Sequence, residues 1–207
     1  MLKAFLCAIA LLTLALAGPV DAQEPATSPS IKLLGTDCDI VLGRAKFRQP
    51  TNCSEQALLA AIETWIAAEF NLPAIREHPR LKLVSPAKIA ALRFKVLLSN
   101  PKTGIAANDH GTSPAQGDTV ALYHDATQSI YLPEGWSGST PAELSVLVHE
   151  MVHHFQNVLG LKHECPQERE KLAYIAQDRW LSLFGQSLSG DFALDPFSLF
   201  IKIACFH

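Results

Sequence analysis

Two histidines four positions apart, His149 and His153, bracket the carboxylate of Glu150 in the stretch His149-Glu150-Met151-Val152-His153. If this stretch is helical, the spacing puts both imidazoles on one face, with Cβ atoms roughly 5–6 Å apart. Two neutral imidazole nitrogens so placed can take two corners of a zinc tetrahedron. Glu150 lies one step round the helix from His149. It is poorly placed to share the ion with both histidines but within reach of a water beside it, where a general base belongs. The flanking residues are apolar, and an isolated carboxylate or imidazolium is costly there. One divalent cation would offset that cost and keep the histidines neutral. That combination of residues is the equipment of a zinc-dependent hydrolase.

A third protein ligand must come from outside this stretch. Glu170, Glu168, His163 and Glu164 are the candidates. The connection from Gly160 to Cys165 is short, so the helix that follows can pack beside the first. Glu170 lies one turn into it and can face the two histidines. Glu168 points about 160° away from Glu170, so only one of the pair can face the ion. His163, in the loop, is the runner-up.

The elements that must position these groups are legible in turn. Thr140 is an N-cap, Pro141 fits the first helical position, Glu143 completes a capping box, and Gly160 is the stop. Leu144, Leu147, Val148, Met151, Val152, Phe155 and Val158 give this helix so broad an apolar surface that it should be largely buried. A second helix runs from Pro166 to about Phe184. Upstream, Val120–His124 and Ser129–Leu132 alternate around the polar turn Asp125–Gln128 and predict a β-hairpin forming the sheet edge above the site. Asn52, capping with Glu55, opens a helix to Phe70 that presents Leu58, Leu59, Ile62, Trp65, Ile66 and Phe70 on one face. A strand over Leu81–Val84 and a helix from Ser85-Pro86 to about Leu98 follow. Residues 99–118 form the longest irregular stretch. A last helix opens at Asp195-Pro196, and its Phe197, Leu199, Phe200, Ile203 and Phe206 suit the core or a protein contact. It is too short to span a bilayer. The fold class expected is a small α+β domain, mostly helical, with a short sheet.

Other residues carry plainer expectations. His154 reads as a helix-face histidine, with hydrogen bonding around the site as the alternative. Tyr174 and Trp180 read as core, although the Tyr174 hydroxyl could also serve a developing oxyanion. His124 and Asp125 should face solvent.

The chain has 207 residues, a net charge of −3 and 48% hydrophobic residues, enough for one globular domain. No basic stripe is available to neutralise phosphates, so nucleic acid is not an expected partner. Residues 1–22 have a positive n-region at Lys3, an apolar run from Ala4 to Ala17 and small residues before Gln23, the pattern of a cleaved signal peptide. Residues 23–31 read as a mobile leader and 32–207 as the domain. Export to the periplasm or beyond is expected, with no membrane span after cleavage. Four cysteines remain, and Cys38–Cys53 and Cys165–Cys205, nearest in sequence, are the favoured disulfides. A cysteine zinc site would need a close C-x-x-C pair, and none occurs.

The His149-Glu150-x-x-His153 pattern resembles the zinc motif of the zincin metallopeptidases. A ligating glutamate on the next helix resembles their gluzincin branch. The metzincin pattern would need Gly and His where Gln156 and Leu159 stand. More closely, Val148–Phe155 with Gln156, then Cys165, then Glu170-x-x-Ala173-Tyr174-x-x-Gln177 and Trp180-Leu181, resembles a family of small exported bacterial proteins. These are described as candidate metallopeptidases and have no assigned function. The resemblance covers about Thr140 to Leu181 and places the third ligand on Glu170. It implies a zincin-like domain binding one Zn²⁺ and cleaving a peptide or protein substrate. A zinc-stabilised binding protein without catalysis, and a hydrolase of a non-peptide, cell-wall-type amide, are the other expectations.

Overall fold

The computed structural model describes residues 54–99 and 121–205. The expected signal peptide, leader, Cys38–Cys53 bridge and most of the irregular stretch at 99–118 lie outside these residues. The described part is α+β and mostly helical. In chain order it contains α1 (Glu55–Phe70), β1 (Arg80–Val84), α2 (Pro86–Ser99), β2 (Leu122–His124), β3 (Ser129–Pro133), α3 (Pro141–Val158), α4 (Pro166–Ser182), α5 (Leu188–Phe192) and α6 (Pro196–Ile203).

The hairpin forms as the alternation predicts. A single 3-10 turn, Asp125–Thr127, joins β2 to β3, and Gln128 takes the left-handed conformation that closes it. The strand order is β1-β3-β2, with β1 parallel and β2 antiparallel to the central strand. Ile130 and Leu132 of β3 are fully buried, while β1 is mostly exposed along its length. The segment leading into β1 is pinned from two sides. Buried Glu63 of α1 accepts the Ile75 N–H at 3.1 Å and pairs with His78 Nε2 at 2.8 Å. His154 of α3 reaches the Glu77 carbonyl at 2.6 Å.

Helix α3 is the centre of the molecule. Every residue from Leu144 to Gln156 is buried. Its start is fixed as the sequence predicts: Thr140 Oγ1 accepts the Glu143 N–H at 3.1 Å, with Pro141 at the first position. The Glu143 carboxylate reaches further back than a simple capping box, to the N–H groups of Ser139 and Ser137. These bonds outweigh its partial burial and lower its pKa. At the other end Gly160 sits at φ +62°, and the Leu161 N–H returns to the Gln156 carbonyl at 2.9 Å, a Schellman closure.

Helices α1 and α4 flank α3. Trp65 of α1 meets Trp180 of α4 edge to face at 5.3 Å between ring centroids. The cross-helix pairs Gln156–Arg169, His153–Glu170 and Ser145–Gln177 run in opposite chain directions, so α3 and α4 are antiparallel. Cys165 caps α4 through its sulfur and is bonded to Cys205, which ties the end of the α6 segment to the start of α4.

Two expectations are corrected. The N-cap of α1 is Ser54, whose hydroxyl accepts the Ala57 N–H, and not Asn52, which lies outside the described residues. The helix starts later because a hydroxyl in extended backbone meets the orphan N–H groups three residues on. Of the two expectations for α6, the core or a protein contact, the core is overturned: none of its residues is buried, and Phe197 is 72% exposed. At eight residues it lies against α4 and is held by the nearby disulfide rather than by a buried face. The short helix α5 has no counterpart in the expectations.

Candidate metal centre

The i, i+4 spacing on α3 brings the His149 and His153 rings to 5.0 Å between centroids. Both are nearly buried, at 9% and 7% exposure. The antiparallel docking of α4 places Glu170 across from them. One carboxylate oxygen lies 3.2 Å from His149 Nε2 and the other 3.4 Å from His153 Nε2. One donor atom from each residue falls within 4.8 Å of the others, and this is the one such group of three among the described residues. Ligand atoms about 2.0–2.1 Å from a tetrahedral zinc lie roughly 3.3–3.4 Å apart. Each nitrogen–oxygen spacing is close to one such edge, although the two end on different oxygens of Glu170.

The backs of the two imidazoles are held by glutamines. His149 Nδ1 is 3.1 Å from Gln177 Oε1, Gln177 Nε2 donates to Ser145 Oγ, and Ser145 Oγ donates to the Ala142 carbonyl. Because the last acceptor is a carbonyl, the chain has one consistent direction, and His149 must donate from Nδ1. His153 Nδ1 is 2.9 Å from Gln156 Oε1, and Gln156 Nε2 donates to the Arg169 carbonyl at 2.8 Å. The same reasoning puts the proton of His153 on Nδ1. Both Nε2 atoms thus turn lone pairs toward a carboxylate. That arrangement needs a positive charge between them, and an N,N,O donor set backed by outer hydrogen bonds suits a zinc ion.

Without such an ion, protons must serve. Burial disfavours charge on His153, but bonding and attraction to Glu170 outweigh it and raise its pKa. Burial likewise opposes ionisation of Glu170, and its contacts with His149 and His153 reverse this, holding the carboxyl well below the usual carboxylate range.

Glu150 is buried beside the centre, and its Oε2 accepts the main-chain N–H of Tyr123 at 2.7 Å. Tyr123 pairs across the hairpin with Ile130, and this N–H points outward from β2 toward α3. The Tyr123 hydroxyl lies 3.0 Å from His154 Nδ1 and accepts from Asn157 Nδ2 at 2.9 Å. Since His154 Nε2 must donate to the Glu77 carbonyl, its Nδ1 is the acceptor for the tyrosine hydroxyl. Burial outweighs the bond to the Glu77 carbonyl and lowers the His154 pKa, which favours the neutral ring. His154 is therefore a fully buried bridge, the alternative of hydrogen bonding around the site rather than a plain helix-face histidine; period alone could not separate these outcomes on a helix buried all round.

The other candidates fall elsewhere. Glu168 turns back to accept the Glu164 N–H and receives its own helix-capping bond from Cys165. His163 does not join the ligand group, and its Nε2 is buried without a hydrogen-bond partner. Tyr174 is half-buried and packs edge to face on the His149 ring at 4.7 Å, so it borders the centre rather than filling the core. Trp180 is core, as expected. Asp125 is exposed but accepts a two-pronged ion pair from Arg169, at 2.8 and 2.6 Å. The supporting roles of Gln156, Gln177, Ser145, Tyr123 and Arg169 were not read from the sequence. The available hint was amides at 156 and 177 on otherwise apolar helix faces.

Residues 51–194 match the family model of a domain of unknown function, DUF6647. The chain belongs to the DUF6647 family. The match spans α1 through α5 and contains every residue of the candidate centre. No curated protein and no solved structure matches the chain.

Proposed function

We propose that this DUF6647 protein is an exported zinc-dependent hydrolase, a metallopeptidase of the gluzincin-like type. The observation that carries the reading is the convergence of His149 Nε2, His153 Nε2 and the Glu170 carboxylate on one point, with Glu150 beside it. When bound there, zinc would polarise a scissile carbonyl and acidify a water molecule. Glu150 takes a proton from the attacking water and hands it to the leaving amine nitrogen. The Tyr123 N–H steadies the carboxylate through Oε2 while this happens. Tyr174, one turn beyond Glu170 and against the His149 ring, offers its hydroxyl to the developing oxyanion. The Cys165–Cys205 bridge supports the exported reading.

One observation favours a second reading, hydrolysis of a short cell-wall-type amide. Strand β2 is three residues long, and its outward N–H at Tyr123 is committed to Glu150. That leaves little described edge for an extended peptide to pair with.

Elemental analysis of the purified protein tests the centre, with one zinc per chain expected. A library of peptides and cell-wall amides, read with wild type and Glu150→Gln, tests the chemistry. Retained zinc with lost hydrolysis is expected. A metal-free wild type overturns the metal reading. A zinc-loaded wild type that cleaves nothing would make the protein a zinc-stabilised binding module.

A further inference from the structure

Arg169 precedes the third candidate ligand in α4, and its side chain is 28% exposed while three partners share it. Nη1 and Nη2 grip the Asp125 carboxylate, Nη2 also reaches the His153 carbonyl at 3.3 Å, and Nε approaches Gln156 Oε1 at 3.4 Å. The backbone carbonyl of the same residue accepts from Gln156 Nε2 at 2.8 Å. Arg169 thus addresses both ends of one carboxamide: a cation faces its oxygen and a carbonyl faces its nitrogen. A flipped Gln156 would set its NH₂ against the guanidinium and its oxygen against a carbonyl, and both contacts are repulsive.

We infer that Arg169 is a positioning residue for the metal centre, acting through Gln156 to decide which nitrogen of His153 faces the ion. With Gln156 Oε1 held toward His153, Nδ1 carries the proton and Nε2 presents its lone pair. Asp125 anchors the guanidinium from the hairpin turn. This rests on the proposed metal site, but the tautomer can be read without metal.

The test uses the full-length mature protein labelled with ¹⁵N-histidine. Long-range proton–nitrogen spectra of the metal-free form, taken well above the imidazole titration range, report the tautomer of His153. Zinc affinity is measured by chelator competition. Wild type should show the Nδ1–H form in excess, although the Glu170 carboxylate opposite Nε2 favours the other. Gln156→Leu should raise the share of the Nε2–H form most, and Arg169→Met should raise it less, because the main-chain carbonyl at 169 still holds Gln156 Nε2. Each should weaken zinc, by up to about tenfold to a hundredfold, the usual cost of losing an outer hydrogen-bond partner. Asp125→Asn, which keeps the arginine, should leave the tautomer unchanged. Adding Arg169→Met to Gln156→Leu should weaken zinc no further. An unchanged tautomer in Arg169→Met overturns the inference, as does an additive loss in the double variant, which would mean Arg169 acts by shifting Glu170. If Arg169→Met does not fold, Arg169→Lys decides in its place, because it keeps a cation for Asp125 but has no Nε to face Gln156 Oε1. Failure of the wild type to bind zinc at all strikes the metal reading and leaves the tautomer result standing.

Discussion

The main-chain N–H of Tyr123 donates to Oε2 of Glu150 across 2.7 Å, so the edge strand and the central helix meet at the carboxylate proposed as the base. Glu150→Gln keeps an oxygen to accept this bond, whereas Glu150→Ala leaves a buried N–H without a partner, at a cost of about 1–3 kcal/mol. Both variants should lose the hydrolysis ascribed to Glu150, by about 10²–10⁴-fold. Only the alanine variant should also melt earlier. Equal melting temperatures would show that the Tyr123 bond contributes nothing.

Glu170 contacts both imidazoles, through different oxygens. Glu170→Ala should weaken zinc by more than the roughly 10–100-fold typical of an outer-shell loss. Glu168→Ala should leave zinc affinity unchanged, because that carboxylate is spent on the Glu164 N–H. Chelator competition separates the two, and equal effects would remove Glu170 as the third ligand.

Acid should release the metal unusually early. The pKa of His153 is raised because the pull of Glu170 outweighs burial, so a proton competes for Nε2 at a higher pH than on a free imidazole. Zinc affinity should start to fall above about pH 6.5 on acidification. The metal-free protein behaves differently. The His153 contribution to stability is present below the ordinary histidine pKa and is lost as pH rises through the raised value. The Glu170 contribution is present above the ordinary carboxylate pKa and is lost as pH falls through the depressed one. These two windows overlap in mild acid, where the metal-free form should be most stable and zinc should protect least. Thermal melts with and without zinc across pH check this, and a constant zinc-induced shift would refute it.

The Cys165–Cys205 bridge closes a separation of 40 residues. Loop-closure entropy puts its loss at about 4 kcal/mol. A Cys165→Ser, Cys205→Ser double variant should melt on the order of 10 °C lower. Serine at 165 can still cap α4, so the drop reports the cross-link rather than the cap. No shift on substitution would show that α6 is held by its packing alone.

What the sequence determined by itself is local. The caps at Thr140 and Gly160, the helical period between them and the four-residue step from His149 to His153 require only the geometry of one helix, and each is seen in the structure. Glu170 was readable because a short connection leaves the next helix little choice but to lie alongside. Partners across elements were not readable. That Gln177 and Gln156 back the two histidines, that Arg169 orients Gln156, and that a β2 N–H meets Glu150 depend on the height and rotation at which separate elements dock. His154 and α6 show the same boundary in opposite directions: one polar residue sits in the core because Tyr123 and Glu77 satisfy both its nitrogens, and one apolar helix stays outside it. Periodicity records which faces can be buried. The packed structure alone decides which are, because burial depends on the partner that arrives.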